Sequence, residues 1–178
     1  MDYGNWKPKD IRKLIREGKI TGQTSGMCNG YAQANMAILP KSLAFDFLLF
    51  TQRNRKPCPL LDVTEAGNPE PKLAAPGADL RYDIPKYRIY KKGILTDEVT
   101  DLSGYWQDDY VAFLLGCSFS FESPMIEDGL DVRHITDHHN VPMYITNIPC
   151  VPAGVFHGPM VVSMRPMKPA DAIRAVQI

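Results

Sequence analysis

The sequence predicts an α/β domain with a mixed sheet and flanking helices, drawn as one domain or two small lobes. Three observations predict it. Segments with apolar residues at helical spacing alternate with short β-branched and aromatic runs. Proline and glycine punctuate the boundaries between them. The chain has 178 residues, 44% hydrophobic and 22% charged, which suits one domain with a real core.

Taken in order, Lys9 to Glu17 reads as a short amphipathic helix with Ile11, Leu14 and Ile15 on one side, and Gly18 as its stop. Residues 21–26 form a small polar loop punctuated by glycine. Tyr31 to Ile38 fits either helix or strand and ends at Pro40. Lys41 to Arg53 carries a helical apolar pattern, with Asp46 inside it and in need of a partner, for which Arg53 is a candidate. Lys56 to Asp83 is rich in Pro, Gly and Asp and reads as an ordered, winding segment holding a short buried strand at 58–63. Tyr87 to Tyr90 and Ile94 to Thr100 make a hairpin around Gly93. Residues 108–116 are assigned to a helix, Met125 to Gly129 to a further helical stretch, and Val132 to Ile135 to the start of a strand. Strands at 141–147 and 160–164 follow. A helix from Pro169 is barely two turns long when the sequence stops, so a single domain over 1–178, short or lacking a C-terminal part, is expected. A core cut at that helix would leave apolar surface exposed.

Twenty basic and twenty acidic residues cancel, and no basic tract stands out, which argues against nucleic acid or an anionic membrane as partner. The longest apolar runs are far too short to span a bilayer, and the N-terminus lacks the apolar core of a secretory signal. Cys28, Cys58, Cys117 and Cys150 are widely spaced and form no CxxC pair, against a structural zinc site or a disulfide framework. A cytoplasmic protein with reduced thiols is the expectation, and a homodimer is the base-rate one.

The densest chemistry lies at 108–122. There an apolar run passes directly into Cys117, Ser118, Ser120 and Glu122. Burying such groups unpaired costs about 1–3 kcal/mol each, so stability gives little reason to crowd them there, whereas a site for hydrogen bonding or proton transfer does. The bland alternative is that the hydroxyls bond nearby backbone and Glu122 pairs with Arg133 at the surface.

Long stretches of the chain carry a resemblance. GMCNGYAQANMAILP at 26–40, CPLLDV at 58–63, APGADLR at 75–81, VAFLLGCSFSFE at 111–122, NVPMYITNIPC at 140–150 and VVSMRP at 161–166 resemble the hydro-lyases related to D-glutamate cyclase. The resemblance runs from Ile11 to Val176. It implies an α/β fold of two lobes and a cofactor-independent lyase acting on a small carboxylate, with the conversion of D-glutamate to 5-oxo-D-proline as the characterised example. Family members usually continue past the position of Ile178. The Asp137-His138-His139 loop departs from the family pattern, so no family role attaches to those two histidines.

Closing glutamate into a lactam requires proton removal from the ammonium, loss of a carboxyl oxygen as water, and attack geometry. Glu122, beside Ser118 and Ser120, is the candidate acid/base group. Arg165, at the exit of a strand, suits a bidentate grip on the α-carboxylate, with Arg81 as second choice. Ser118, Ser163, Asn147, Thr24 and Ser25 are candidate donors to a developing oxyanion. Gln33 and Asn35 lie two apart and share a face if that segment is a strand. Cys117 is a candidate nucleophile if His134 or His157 supplies a base, and a small buried hydrophobe otherwise. His134 and His138 have the i, i+4 spacing of a metal pair with His139 nearby, but a strand at 132–135 would part them, and no metal is assigned. Asp62 and Asp79, next to turn residues, read as structural. A non-catalytic ligand-binding or regulatory module that retains the pocket is the alternative reading of the whole chain.

Overall fold

The computed structural model describes residues 3–178. Its α/β character rests on five short helices and seven strands. Every described strand pairing is antiparallel, and the strands fall into three small sheets.

Helix α1 (Pro8–Arg16) starts on a proline, whose missing N–H costs nothing in a first turn. Its Ile11 and Ile15 are buried against Ile20 and Cys28. Gly18, at φ +68°, lets the chain turn away after it. Arg16 clamps the helix to Asp83, a carboxylate only 4% exposed that also accepts the Asp79 amide at 2.7 Å.

The ambiguous stretch becomes strand β1 (Ala34–Pro40), and helix α2 (Lys41–Arg53) follows it without a loop. Asp46 does not pair with Arg53, whose guanidinium bonds the Pro152 carbonyl at 2.5 Å. Strand β2 (Leu60–Val63) opens the winding segment. Asp62 holds that segment, accepting the amides of Val63, Leu73 and Ala74 at 2.8–2.9 Å. Strands β3 (Tyr87–Lys91) and β4 (Ile94–Val99) form the expected hairpin.

The assignment of 108–116 to a helix is corrected: Tyr110–Gly116 is strand β5, central between β1 and β2. Val111, Ala112, Phe113 and Leu114 are each at most 6% exposed, so both faces are covered. A strand buried on both sides reads as a continuous apolar run, and periodicity then has nothing to report. Phe113 packs edge-on to Phe47 of α2 at 4.8 Å between ring centroids. Ala112 and Leu114 face the other way, towards Leu80, Met36, Ile38 and Trp106.

A 3-10 turn (Ser118–Phe121) leads into helix α3 (Glu122–Glu127). The strand expected at 132–135 is also corrected. Arg133–Thr136 forms a short helix, α4, whose neighbours Leu130 and Val132 pack with Met125 of α3. Strands β6 (Met143–Pro149) and β7 (Pro159–Ser163) pair as a ribbon, and α5 (Pro169–Gln177) closes the order. Ile145, Val161, Ile173 and Val176 of these last elements are exposed. No helix among the described residues is long and apolar enough to cross a membrane.

Two backbone details carry predictions. Gly67 sits at φ +76°, and a Cβ there would meet the Asp108 carbonyl oxygen at 2.7 Å. Gly67→Ala is expected to lower stability by about 1–3 kcal/mol, read as a shift in denaturant midpoint. Tyr87 is 5% exposed, donates its hydroxyl to the Leu80 carbonyl at 2.8 Å and accepts the Ile84 amide at 3.1 Å. Burial pushes its phenol above the ordinary tyrosine range. The folded state therefore favours the neutral phenol. That contribution is complete below about pH 10 and is lost as pH rises through the raised value. Tyr87→Phe should flatten the alkaline side of the stability–pH curve while costing about 1–3 kcal/mol at neutral pH.

Candidate active site

The β1–β5 ladder sets the site. Where β5 ends, the Cys117 amide bonds the Gln33 carbonyl at 3.0 Å, and the Gln33 amide bonds the Ser120 hydroxyl at 2.8 Å. These bonds lay the 3-10 turn alongside the polar loop that precedes β1. The Ser120 hydroxyl is thus used on backbone, on that of Gln33 far along the chain and not on the neighbouring backbone of the bland reading.

Glu122, the first residue of α3, is 2% exposed and does not pair with Arg133. Arg133 reaches Asp137 instead, at 3.4 Å. Glu122 is met by Arg165, which lies two residues beyond the end of β7. Arg165 directs Nε at Glu122 Oε1 from 3.1 Å and adds a second, shorter bond from Nη2. The same guanidinium donates to Ser163 at 3.0 Å and to Ser118 at 3.1 Å, and the two hydroxyls lie 3.3 Å apart. Four of its five N–H donors are therefore engaged. Its outer face stacks on Phe121, with Cζ 4.7 Å from the ring centroid. Ser25 approaches the other carboxylate oxygen at 3.5 Å, the outer limit of a hydrogen bond.

His134 completes the cluster, and sequence reasoning gave it no such role. It is 7% exposed on α4, and its Nε2 stands 3.0 Å from Glu122 Oε1 without an aligned hydrogen bond. Here Arg133 stays in solvent while His134 is buried on α4. The His134, His138 and His139 constellation does not form one face. His138 and His139 are exposed beyond α4, and His138 adopts φ +57°.

Two adjoining clefts open beside the cluster. The smaller, about 180 Å³, is lined by Glu122, Ser120, Ser123 and the Gly26–Gly30 loop. The larger, about 470 Å³, is lined by Thr24, Asn35 and Cys117 among largely apolar neighbours. Gln33 and Phe119 border both. The volume of the larger is in the range of small-molecule sites. Gln33 is fixed by its own amide, which donates to the Met27 carbonyl at 2.9 Å, and by Thr24, whose hydroxyl bonds its Oε1 at 2.8 Å.

The structure thus brings together Glu122, Arg165, Ser118, Ser163 and Ser25, and sets Thr24, Gln33, Asn35 and Cys117 around the adjoining cleft. No histidine lines that cleft, so Cys117 has no imidazole there to act as its base. Arg81 is spent on Asp79, with bonds of 2.9 and 2.7 Å, and borders neither cleft. Asn147 is exposed on β6, away from both. Among the described residues no group of three or more His, Cys, Asp or Glu side chains is arranged to hold a metal ion.

Comparison with known proteins adds an independent line. The family model for D-glutamate cyclase matches residues 111–178, the stretch that supplies Ser118, Glu122, His134, Ser163 and Arg165. The protein named putative hydro-lyase YcsI from Bacillus subtilis (strain 168) is 67% identical over 171 residues, covering 96% of this chain and 66% of its own. A protein named putative hydro-lyase from Thermoanaerobacter sp. (strain X514) is 62% identical over 178 residues, all of this chain and 67% of its own. Another from Bacillus licheniformis is 60% identical over 178 residues, with 68% of its own length matched. The chain spans about two thirds of the length of these curated relatives.

Proposed function

The chain belongs to the hydro-lyase family related to D-glutamate cyclase, and on that premise we propose that it is a cofactor-independent hydro-lyase acting on a small amino or hydroxy acid. The specific reaction we propose is closure of D-glutamate to 5-oxo-D-proline with loss of water. The observation that carries this reading is the buried Glu122–Arg165 pair, flanked by two serine hydroxyls and opening beside a cleft.

An arginine so heavily engaged with a buried carboxylate has little left for a ligand. A substrate carboxylate therefore gains Arg165 by exchanging with Glu122, and the exchange frees Glu122 as a base at the moment the substrate arrives. Glu122 then takes a proton from the ammonium, and the neutral amine attacks the distal carboxyl carbon. Ser118 and Ser163 already accept from the guanidinium through their hydroxyl oxygens, and their O–H groups can turn to the oxyanion that forms. The carboxyl oxygen leaves as water. A near-attack arrangement of amine and carboxyl supplies much of the rate, because the ring closure is intramolecular.

The test is proton NMR of this chain with D-glutamate, L-glutamate and a panel of hydroxy acids. Formation of 5-oxoproline from the D isomer alone, lost in Glu122→Gln, is the expected result. A folded chain that turns over none of them would overturn the catalytic reading. Saturable binding of the same acids would then mark the cluster as a ligand-binding module.

A further inference from the structure

We propose that His134 is the second proton station of the site, paired with Glu122 so that two protons can be held on the protein at once. The inference rests on the cyclisation reading above and deepens it.

The need comes from the proton count. The substrate nitrogen begins as an ammonium and ends as an amide carrying one hydrogen, so it sheds two protons while the new C–N bond forms. The departing oxygen begins as part of a carboxylate and leaves as water, so it gains two as the C–O bond breaks and keeps that bond's electron pair. No proton is taken from or released to solvent overall. One carboxylate can hold only one of the two at a time.

Glu122 has a partner suited to the other. His134 Nε2 lies 3.0 Å from Glu122 Oε1, inside proton-transfer distance. Both side chains are buried, and the imidazole nitrogen has no aligned hydrogen bond to another group. An unsatisfied buried ring nitrogen costs stability, of a kind retained where it is used. The charged groups facing it are Glu122 from α3 and, across that carboxylate, Arg165 from the segment after β7. Beside it in the chain, Leu130, Val132 and Ile135 pack with Met125 of α3 and Met167 in an apolar cluster.

The sequence of transfers closes. Glu122 takes the first proton and hands it to Nε2, giving an imidazolium against the restored carboxylate. Glu122 takes the second after nitrogen has attacked. Both protons pass to the leaving oxygen through Glu122, and the pair returns to its starting state. His134 does not touch substrate in this scheme; it acts through Glu122 as a positioning and proton-holding residue.

Two measurements test it. His134→Gln keeps a polar side chain of similar reach that does not titrate. It should lower kcat for D-glutamate by roughly 100-fold with KM little changed, and change the shape of the kcat–pH profile. Unchanged kcat and an unchanged profile in a folded His134→Gln, with Glu122→Gln still inactive, would overturn the inference and leave the proposed reaction standing. The second measurement needs no turnover: histidine side-chain ¹⁵N spectra with and without glutarate, a dicarboxylate that lacks the amine and cannot cyclise. Glutarate at Arg165 should release Glu122 to His134 and shift its Nε2 resonance, with no shift in Glu122→Gln. A resonance indifferent to saturating glutarate in the wild type would overturn the pairing even if the chain were inactive on D-glutamate.

Discussion

Glu122→Gln should lower turnover of D-glutamate by at least ~100-fold while leaving substrate affinity largely intact. The amide keeps the size and one acceptor oxygen of the carboxylate, so Arg165 retains a hydrogen-bond partner, and the smaller cleft keeps its wall. What it loses is the ability to carry a proton. The substitution also removes the competitor for Arg165: the substrate's carboxylate no longer displaces a charged rival, so affinity can even rise. A ligand-binding module would respond differently, with binding altered modestly and no turnover to lose. Glu122→Ala is a poorer probe. It leaves the guanidinium, buried and now without its counter-charge, and such losses cost about 3–5 kcal/mol. Steady-state kinetics on the Gln variant, with its unfolding midpoint measured alongside, separates the chemical effect from the structural one.

The site was legible in the sequence where polar groups break an apolar run. Ser118 and Glu122 follow the buried β5 strand, and Ser163 and Arg165 lie at the end of β7. In each case a short strand delivers a polar residue to its exit, and that much depends on local pattern. Residue type alone misled elsewhere. Arg81 is as well suited to a carboxylate as Arg165, but Asp79 two residues earlier captures it, a local contact that outcompetes a distant one. Asn147 sits on β6 in the strand predicted for it and is exposed all the same. Which face of a two-stranded ribbon meets the rest of the chain is a tertiary fact, with no trace in an apolar run that is exposed on both faces.

The two corrected elements fail for opposite reasons. At β5 the signal was strong but ambiguous, because complete burial removes the alternation that separates strand from helix. At α4 the signal was weak. Four residues hold too little period to decide, and the neighbours Met125 and Leu130 fix the outcome by packing. On α4 the His134 side chain comes to 3.0 Å from Glu122 Oε1. The β1–β5 register has a related lesson. Gln33 and Ser120 are 87 residues apart, and the bond between them joins the polar loop to the 3-10 turn. Nothing local to either residue announces it.

Arg165→Ala carries the second large effect, and it should appear in stability and binding together. The guanidinium is the hub that Glu122, Ser118 and Ser163 share, and its own side chain is 8% exposed. Removing it strands a buried carboxylate and costs about 3–5 kcal/mol. Loss of a charge-assisted grip on the ligand is worth a further ~10–100-fold in affinity. Arg165→Lys should restore part of the stability and little of the affinity, because an ammonium supplies the charge without the planar fork. The decisive comparison is the double variant Arg165→Ala/Glu122→Gln. If the cost of the arginine change comes mainly from an orphaned charge, adding the neutral glutamine should recover much of it, giving a coupling energy well above 1 kcal/mol in a double-mutant cycle. Additive losses in denaturant unfolding would mean that Arg165 holds the serines and Phe121 more than it holds Glu122. The exchange of carboxylates at its guanidinium would then lose its physical basis.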